Sequence, residues 1–348
     1  MAAAKHSKHP RGARDWPAWP KERLLDLRLR DLDLRIAGTW LEKCIARLDA
    51  ELAARGFAFR PHVWLAEEWF CPDGVPGFAI PFYLAHPRLK RLEQEFMLEV
   101  EGGTEDECLK LMRHETAHAL ANAYRLHRRR DWQRHFGKSS QKYPKSYLPR
   151  PYSKRFVVHL ENWYAQSHPD EDWAETFSVW LRPDSDWRAR YRGWPALKKL
   201  EYVDRLMQEI GARRPRVSTR RQQSPARRSR LTLRKYYAHK RRLYGAKYPE
   251  FLDRDLRRLF SADPAHRGNE AAARYLRRHR SELTAVVSRW TSEYRYRIDQ
   301  VLAEMIRRSD GLWLRVAHDD PAMKLEVVAF LTRLVMDYLH SGRFQVKL

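Results

Sequence analysis

Leucines recur among arginines and aspartates from Leu24 to Ile36, the signature of an amphipathic helix, and the pattern predicts a helix over about 21–55. The texture changes at Gly56. Residues 57–70 are aromatic and partly alternating, which predicts a strand. Turn formers follow at Pro72-Asp73-Gly74 and Pro76-Gly77, and residues 78–84 predict a second strand. Pro81 cannot donate to a ladder, so that strand is expected at an edge or with a bulge. Residues 94–101 alternate and predict a third strand. After Gly102-Gly103, Thr104-Glu105-Asp106-Glu107 reads as a capping box opening a helix over about 104–126. Residues 136–156 are polar and Pro-rich, an irregular excursion, with a short helix expected over 156–165. Pro169, followed by Asp170 and Glu171, opens a helix that runs to about Leu181. Residues 231–260, 268–308 and 320–340 read as helices rich in Leu, Tyr and Arg.

The 348 residues suffice for two domains, and 43% hydrophobic residues exclude a wholly disordered chain. The formal net charge is +24, unevenly spread: residues 211–348 hold 32 Lys/Arg against 14 Asp/Glu. This divides the chain into a basic flexible tail (1–20), a globular domain (21–210), a basic linker (211–230) and a basic α-helical domain (231–348). No run of 18 apolar residues predicts a membrane span. The basic N-terminus precedes no apolar stretch, so a secretory signal is not expected. Three dispersed cysteines give no disulfide framework, and the expected location is cytoplasmic.

The chemistry concentrates in His114-Glu115-Thr116-Ala117-His118, an HExxH motif inside the capped helix. Two His at i and i+4 project from one face and can meet a single Zn²⁺ at about 2.0–2.1 Å. Glu115 lies about 100° round the helix, placed to take a proton from a water that the metal activates. A catalytic zinc needs a third protein ligand and an open position. The segment His168-Pro169-Asp170-Glu171-Asp172-Trp173-Ala174-Glu175 is its best supplier. Glu171 and Glu175 lie one turn apart beside the small Ala174, so a second helix can approach the first closely, one carboxylate reaching the metal and the other a ligand His. Acids at a helix start are ordinary, which accounts for Asp170 and Glu171 but not for Glu175 in the helix interior.

The pairing of HETAH with ExxAExF, 53 residues after His118, resembles gluzincin-type metallopeptidases, and in particular a bacterial family of zinc-binding metallopeptidases with an HPxEDWAE segment. The resemblance covers about 57–182. It implies Glu171 as third ligand and Glu175 as the carboxylate behind a ligand His, with Asp172, Glu175 and His168 still open as alternative ligands. A Tyr in such sites donates to the oxyanion. Tyr164, seven residues before Glu171, has the spacing, with Tyr152 in reserve. The strand at 78–82 is a candidate for holding an extended peptide.

Together these features predict an α+β chain, a zincin-like core with a small mixed sheet over the active-site helix, followed by an α-helical C-terminal domain. The expected function is zinc-dependent peptide hydrolysis with Glu115 as general base. The alternative is a nucleic-acid-associated protein, or a DNA-recruited protease, with an inactive or structural zincin core. Residues 211–245 carry thirteen Lys/Arg with Tyr236, Tyr237 and Tyr244 among them, a composition for gripping phosphates and stacking bases or for docking an acidic protein.

Overall fold

A computed structural model describes residues 13–340 apart from 145, 146, 148, 151 and 245–251. The chain divides into two compact units, one from residues 13–94 and 100–237, the other from 95–99 and 238–340. It is mixed α and β, mostly helical, with one small sheet. Among the described residues no helix is long and apolar enough to cross a membrane.

The first unit opens with a 3₁₀ turn, Ala13–Ala18, whose Trp16 is buried and donates its indole N–H to the Leu32 carbonyl. Trp16, within the expected tail, is therefore packed, while Asp15, Pro17, Ala18 and Pro20 are exposed. The helix expected over 21–55 is broken in two. Helix α1 (Lys21–Leu25) and a 3₁₀ turn (Leu29–Leu32) bury Leu24, Leu25, Leu29 and Leu32. The chain then bends through Asp33 and Gly38, both at positive φ, before α2 (Trp40–Ala54). Strands β1 (His62–Ala66) and β2 (Gly77–Pro81) pair in parallel, Val63 opposite Phe78 and Ala66 opposite Pro81. On the other side of β2, the Phe70 carbonyl accepts from the Ala79 N–H, and β2 is buried along its length. That edge is closed, so the expected peptide-binding strand is corrected. Residues 94–97 are the end of helix α3 (Pro87–Met97), not a strand. The apolar positions Leu89, Leu92 and Met97 follow helical spacing and are buried, and Leu98 at positive φ stops the helix.

Helix α4 (Glu105–Tyr124) begins at Thr104 with both halves of the capping box formed. Helix α5 (Arg130–Phe136) and the irregular excursion lead to α6 (Pro169–Leu181), then α7 (Trp187–Arg190) and α8 (Ala196–Ile210). Ala117 of α4 and Ala174 of α6 are fully buried, small enough to let the two helices approach. Trp173 ties them by donating its indole N–H to the Ala117 carbonyl at 2.9 Å.

Residues 211–230, expected as a linker, run along the first unit. The Arg216 and Val217 N–H groups donate to the Ala123 carbonyl, Trp64 donates to the Gln223 carbonyl, and the Leu29 N–H donates to that of Leu231. Backbone pairing thus holds a segment whose arginines face solvent. Helix α9 (Leu233–Tyr244) continues the chain, with Tyr236 and Tyr237 buried. Tyr236 packs edge-on against Phe82, so neither ring is a free platform for bases. Two of the three tyrosines in the nucleic-acid expectation are thus buried, and Tyr244, the third, is half-buried with its ring edge-on to Tyr294.

In the second unit α10 (Leu252–Leu259), α11 (Ala272–Thr291), α12 (Arg295–Gly311) and α13 (Asp320–His340) enclose a core that includes Leu276, Leu283, Val301, Met305, Val327 and Leu331. The helix expected over 268–308 is interrupted at Ser292, which takes a left-handed conformation.

Candidate metal centre

Helix α4 is buried on nearly all sides around the HExxH motif, and His114 and His118 share one face. Their Nε2 atoms lie 3.1 Å apart. Glu171 enters from the first turn of α6, with Oε2 3.0 Å from His114 Nε2 and 3.3 Å from His118 Nε2. Among the described residues, these atoms form a group that could hold a metal ion. In a tetrahedral site with bonds of about 2.0–2.1 Å, neighbouring ligand atoms stand about 3.3 Å apart. A point at that bond length from all three atoms therefore exists about 1 Å outside their plane. Glu171 Oε2 is buried and takes no well-formed hydrogen bond. Two imidazole nitrogens and an unsatisfied buried carboxylate oxygen converging so closely fit a divalent cation. Zinc suits this N,N,O donor set.

The surrounding contacts fix these side chains. Glu175, fully buried in α6, accepts from His114 Nδ1 at 2.9 Å, and its other oxygen accepts the Leu160 N–H at 2.7 Å. With Nδ1 the donor, Nε2 is the free nitrogen that faces Glu171. Electrostatics follow the geometry. Burial would depress the His114 imidazole, but the close Glu171 carboxylate and the hydrogen bond and charge of Glu175 outweigh it and, without a metal, hold it well above its usual range. Burial would likewise raise Glu171, but His118 and His114 hold it well below. Burial raises the Glu115 carboxyl against the pull of His114 and His118, and its Oε2 is buried without a partner.

The alternative ligands are engaged elsewhere. Asp172 turns away from the imidazoles to pair with Lys199. His168 is the N-cap of α6: its Nδ1 accepts from the Asp170 N–H, and its Nε2 meets the Gln141 carbonyl at 3.0 Å. Both of its nitrogens are thus used. Tyr152 is 91% exposed, which removes the reserve oxyanion donor. The Tyr164 ring lies 5.7 Å from that of His114. It follows Asn162 and Trp163, both left-handed inside the 3₁₀ segment Glu161–Gln166. Such residues cost of order 1–3 kcal/mol each and persist where the surroundings over-determine them. Here the Tyr147 hydroxyl donates to the Asn162 carbonyl.

Tyr143 was missed by sequence reasoning. Its hydroxyl donates to Glu171 Oε1 at 2.9 Å, and its ring stacks on His168. It sits in the irregular excursion, where no periodicity points to a partner.

The arrangement brings together two His from one helix, an acid from a second, and a carboxylate beside the first His. Residues 108–186 match the model of the family described as "Putative zinc-binding metallo-peptidase". The family resemblance read from the two motifs is borne out over that segment. No curated protein and no solved structure matches the chain.

Proposed function

We propose that the chain is a zinc-dependent metallopeptidase. The observation that carries this reading is the triangle of His114 Nε2, His118 Nε2 and Glu171 Oε2, with sides of 3.1, 3.0 and 3.3 Å. Zinc held there would supply Lewis acidity, bringing the pKa of a water towards about 7 and polarising a peptide carbonyl. Glu115 takes a proton from the attacking water and returns it to the leaving amine. Its buried, unpartnered oxygen and raised carboxyl suit a base that must also act as an acid. Glu175 holds the His114 tautomer. Tyr164, beside His114, donates a hydrogen bond to the oxyanion as it forms. The substrate is a peptide or protein.

Zinc analysis tests the reading. Wild-type protein is expected to hold one zinc per chain and to cleave an unstructured protein such as casein, with activity lost to a chelator and restored by zinc. His118→Ala and Glu171→Ala are each expected to lose the metal. Stoichiometric zinc retained in Glu171→Ala would remove Glu171 from the ligand set.

A further inference from the structure

We infer that residues 137–143 form a clip that sets the third metal ligand, with Tyr143 as the positioning residue for Glu171. The inference rests on the reading of His114, His118 and Glu171 as ligands. Alternate residues of the segment meet the start of α6. Gly137, at φ +108°, passes so close to Pro169 that a Cβ would come within 3.2 Å of its ring. The Ser139 hydroxyl donates to Asp170 Oδ2 at 2.8 Å. The Gln141 carbonyl accepts from His168 Nε2 at 3.0 Å, and the Tyr143 ring lies 3.7 Å from that of His168, within 14° of parallel. A turn closed by the Gln141 N–H on the Lys138 carbonyl brings these contacts into reach. The last contact is the Tyr143 hydroxyl on Glu171 Oε1.

That hydrogen bond decides what Glu171 can offer. A carboxylate with both oxygens free can bind a cation through one or two atoms. With Oε1 held by the phenol, only Oε2 faces the imidazoles. One-atom coordination gives three protein ligands and leaves a fourth position for water or substrate, which a catalytic zinc requires. Bidentate binding would crowd that position. Tyr143 thus acts through Glu171 and need not touch substrate. The residue as a whole is 41% exposed, and losing one oxygen leaves its ring stacked on His168.

Zinc affinity by competition with a chromogenic chelator, together with the visible spectrum of the cobalt-substituted protein, tests the clip. Tyr143→Phe keeps the ring on His168 and removes only the donor. Its zinc affinity is expected to fall about 10–100-fold, the usual effect of losing a group that orients a ligand. The cobalt bands are expected to shift as the carboxylate changes its mode of binding. Tyr147→Phe is the control, because that hydroxyl donates to the Asn162 carbonyl and not to a ligand. It is expected to stay within about 2-fold of wild type. Unchanged affinity and spectrum in Tyr143→Phe overturn the clip, as does an equal loss in Tyr147→Phe. A wild-type protein without stoichiometric zinc overturns the metal-site reading itself and the clip with it. Zinc-loaded wild type with an indifferent Tyr143→Phe overturns the clip alone.

Discussion

Glu175 joins His114 to Leu160, accepting from the imidazole Nδ1 through one carboxylate oxygen and from the Leu160 backbone N–H through the other. One buried side chain thus orients the first His of the HExxH motif and pins the returning end of the excursion against α6. Glu175→Ala is expected to weaken zinc binding about 10–100-fold, because the His114 ring loses the partner that sets its tautomer. It should also lower stability by about 1–3 kcal/mol, since the half-buried Leu160 N–H loses a charged acceptor. Chelator competition reads the first effect and denaturant unfolding of the zinc-free protein the second. Wild-type zinc affinity in this variant would mean that the contact is structural only.

Glu115 separates metal binding from chemistry. It is buried beside the two imidazoles, yet Glu171 occupies the position between them. Glu115→Gln preserves shape and removes the base. The expected result is stoichiometric zinc with kcat reduced about 10²–10⁴-fold and KM little changed. Retained hydrolysis would remove Glu115 from the base role, and zinc loss would make it a ligand.

The parts of the centre that could be read from the sequence are those whose geometry is local. The capping box, the i/i+4 histidines and Pro169 at the first turn each fix a helix within a few residues, and α4 and α6 form as expected. Glu175 stood out because an acid in an apolar helix interior has no local reason to be there. Tyr143 gave no such sign, since its contact with Glu171 depends on the path of an irregular segment. The arginine-rich stretch misled for a related reason. Its composition reads as solvated chain, while what holds it is hydrogen bonding of its own backbone to the Ala123 carbonyl and the Trp64 indole, which side-chain patterns do not record. A usable signal did exist for Tyr236 and Tyr237. Leu233, Tyr236, Tyr237 and Lys240 fall at i, i+3, i+4 and i+7, and all four are buried.

Asp172 lies next to Glu171 in sequence but points to Lys199, in a pair whose side chains are 4% and 15% exposed. Asp172→Ala is therefore expected to keep stoichiometric zinc while losing about 3 kcal/mol of stability, the lower end of the cost of orphaning a buried charge. Metal analysis beside thermal unfolding distinguishes the two roles. Loss of zinc at unchanged stability would place Asp172 in the coordination sphere instead.

His159 gives the stability of the chain a predictable response to acid. Its Nε2 meets the Lys110 carbonyl at 3.0 Å, a contact either protonation state can make, and it is burial that favours the neutral imidazole. Burial pulls its pKa down to about 4. An unfolded chain takes up that proton near about 6.5. Between these values the unfolded state binds more protons than the folded one, so acidification favours unfolding. The stability that neutral His159 contributes is full above about 6.5, declines as pH falls and levels off below about 4. His114 and His118 carry shifts of the opposite sign, but they are present in wild type and variant alike and cancel in the difference. His159→Gln retains a donor for the Lys110 carbonyl and cannot be protonated. Unfolding free energies of the zinc-free proteins, measured in urea from pH 7.5 to 4, are expected to show wild type losing stability faster than the variant. Parallel curves across that range would mean that His159 is not held neutral by the fold.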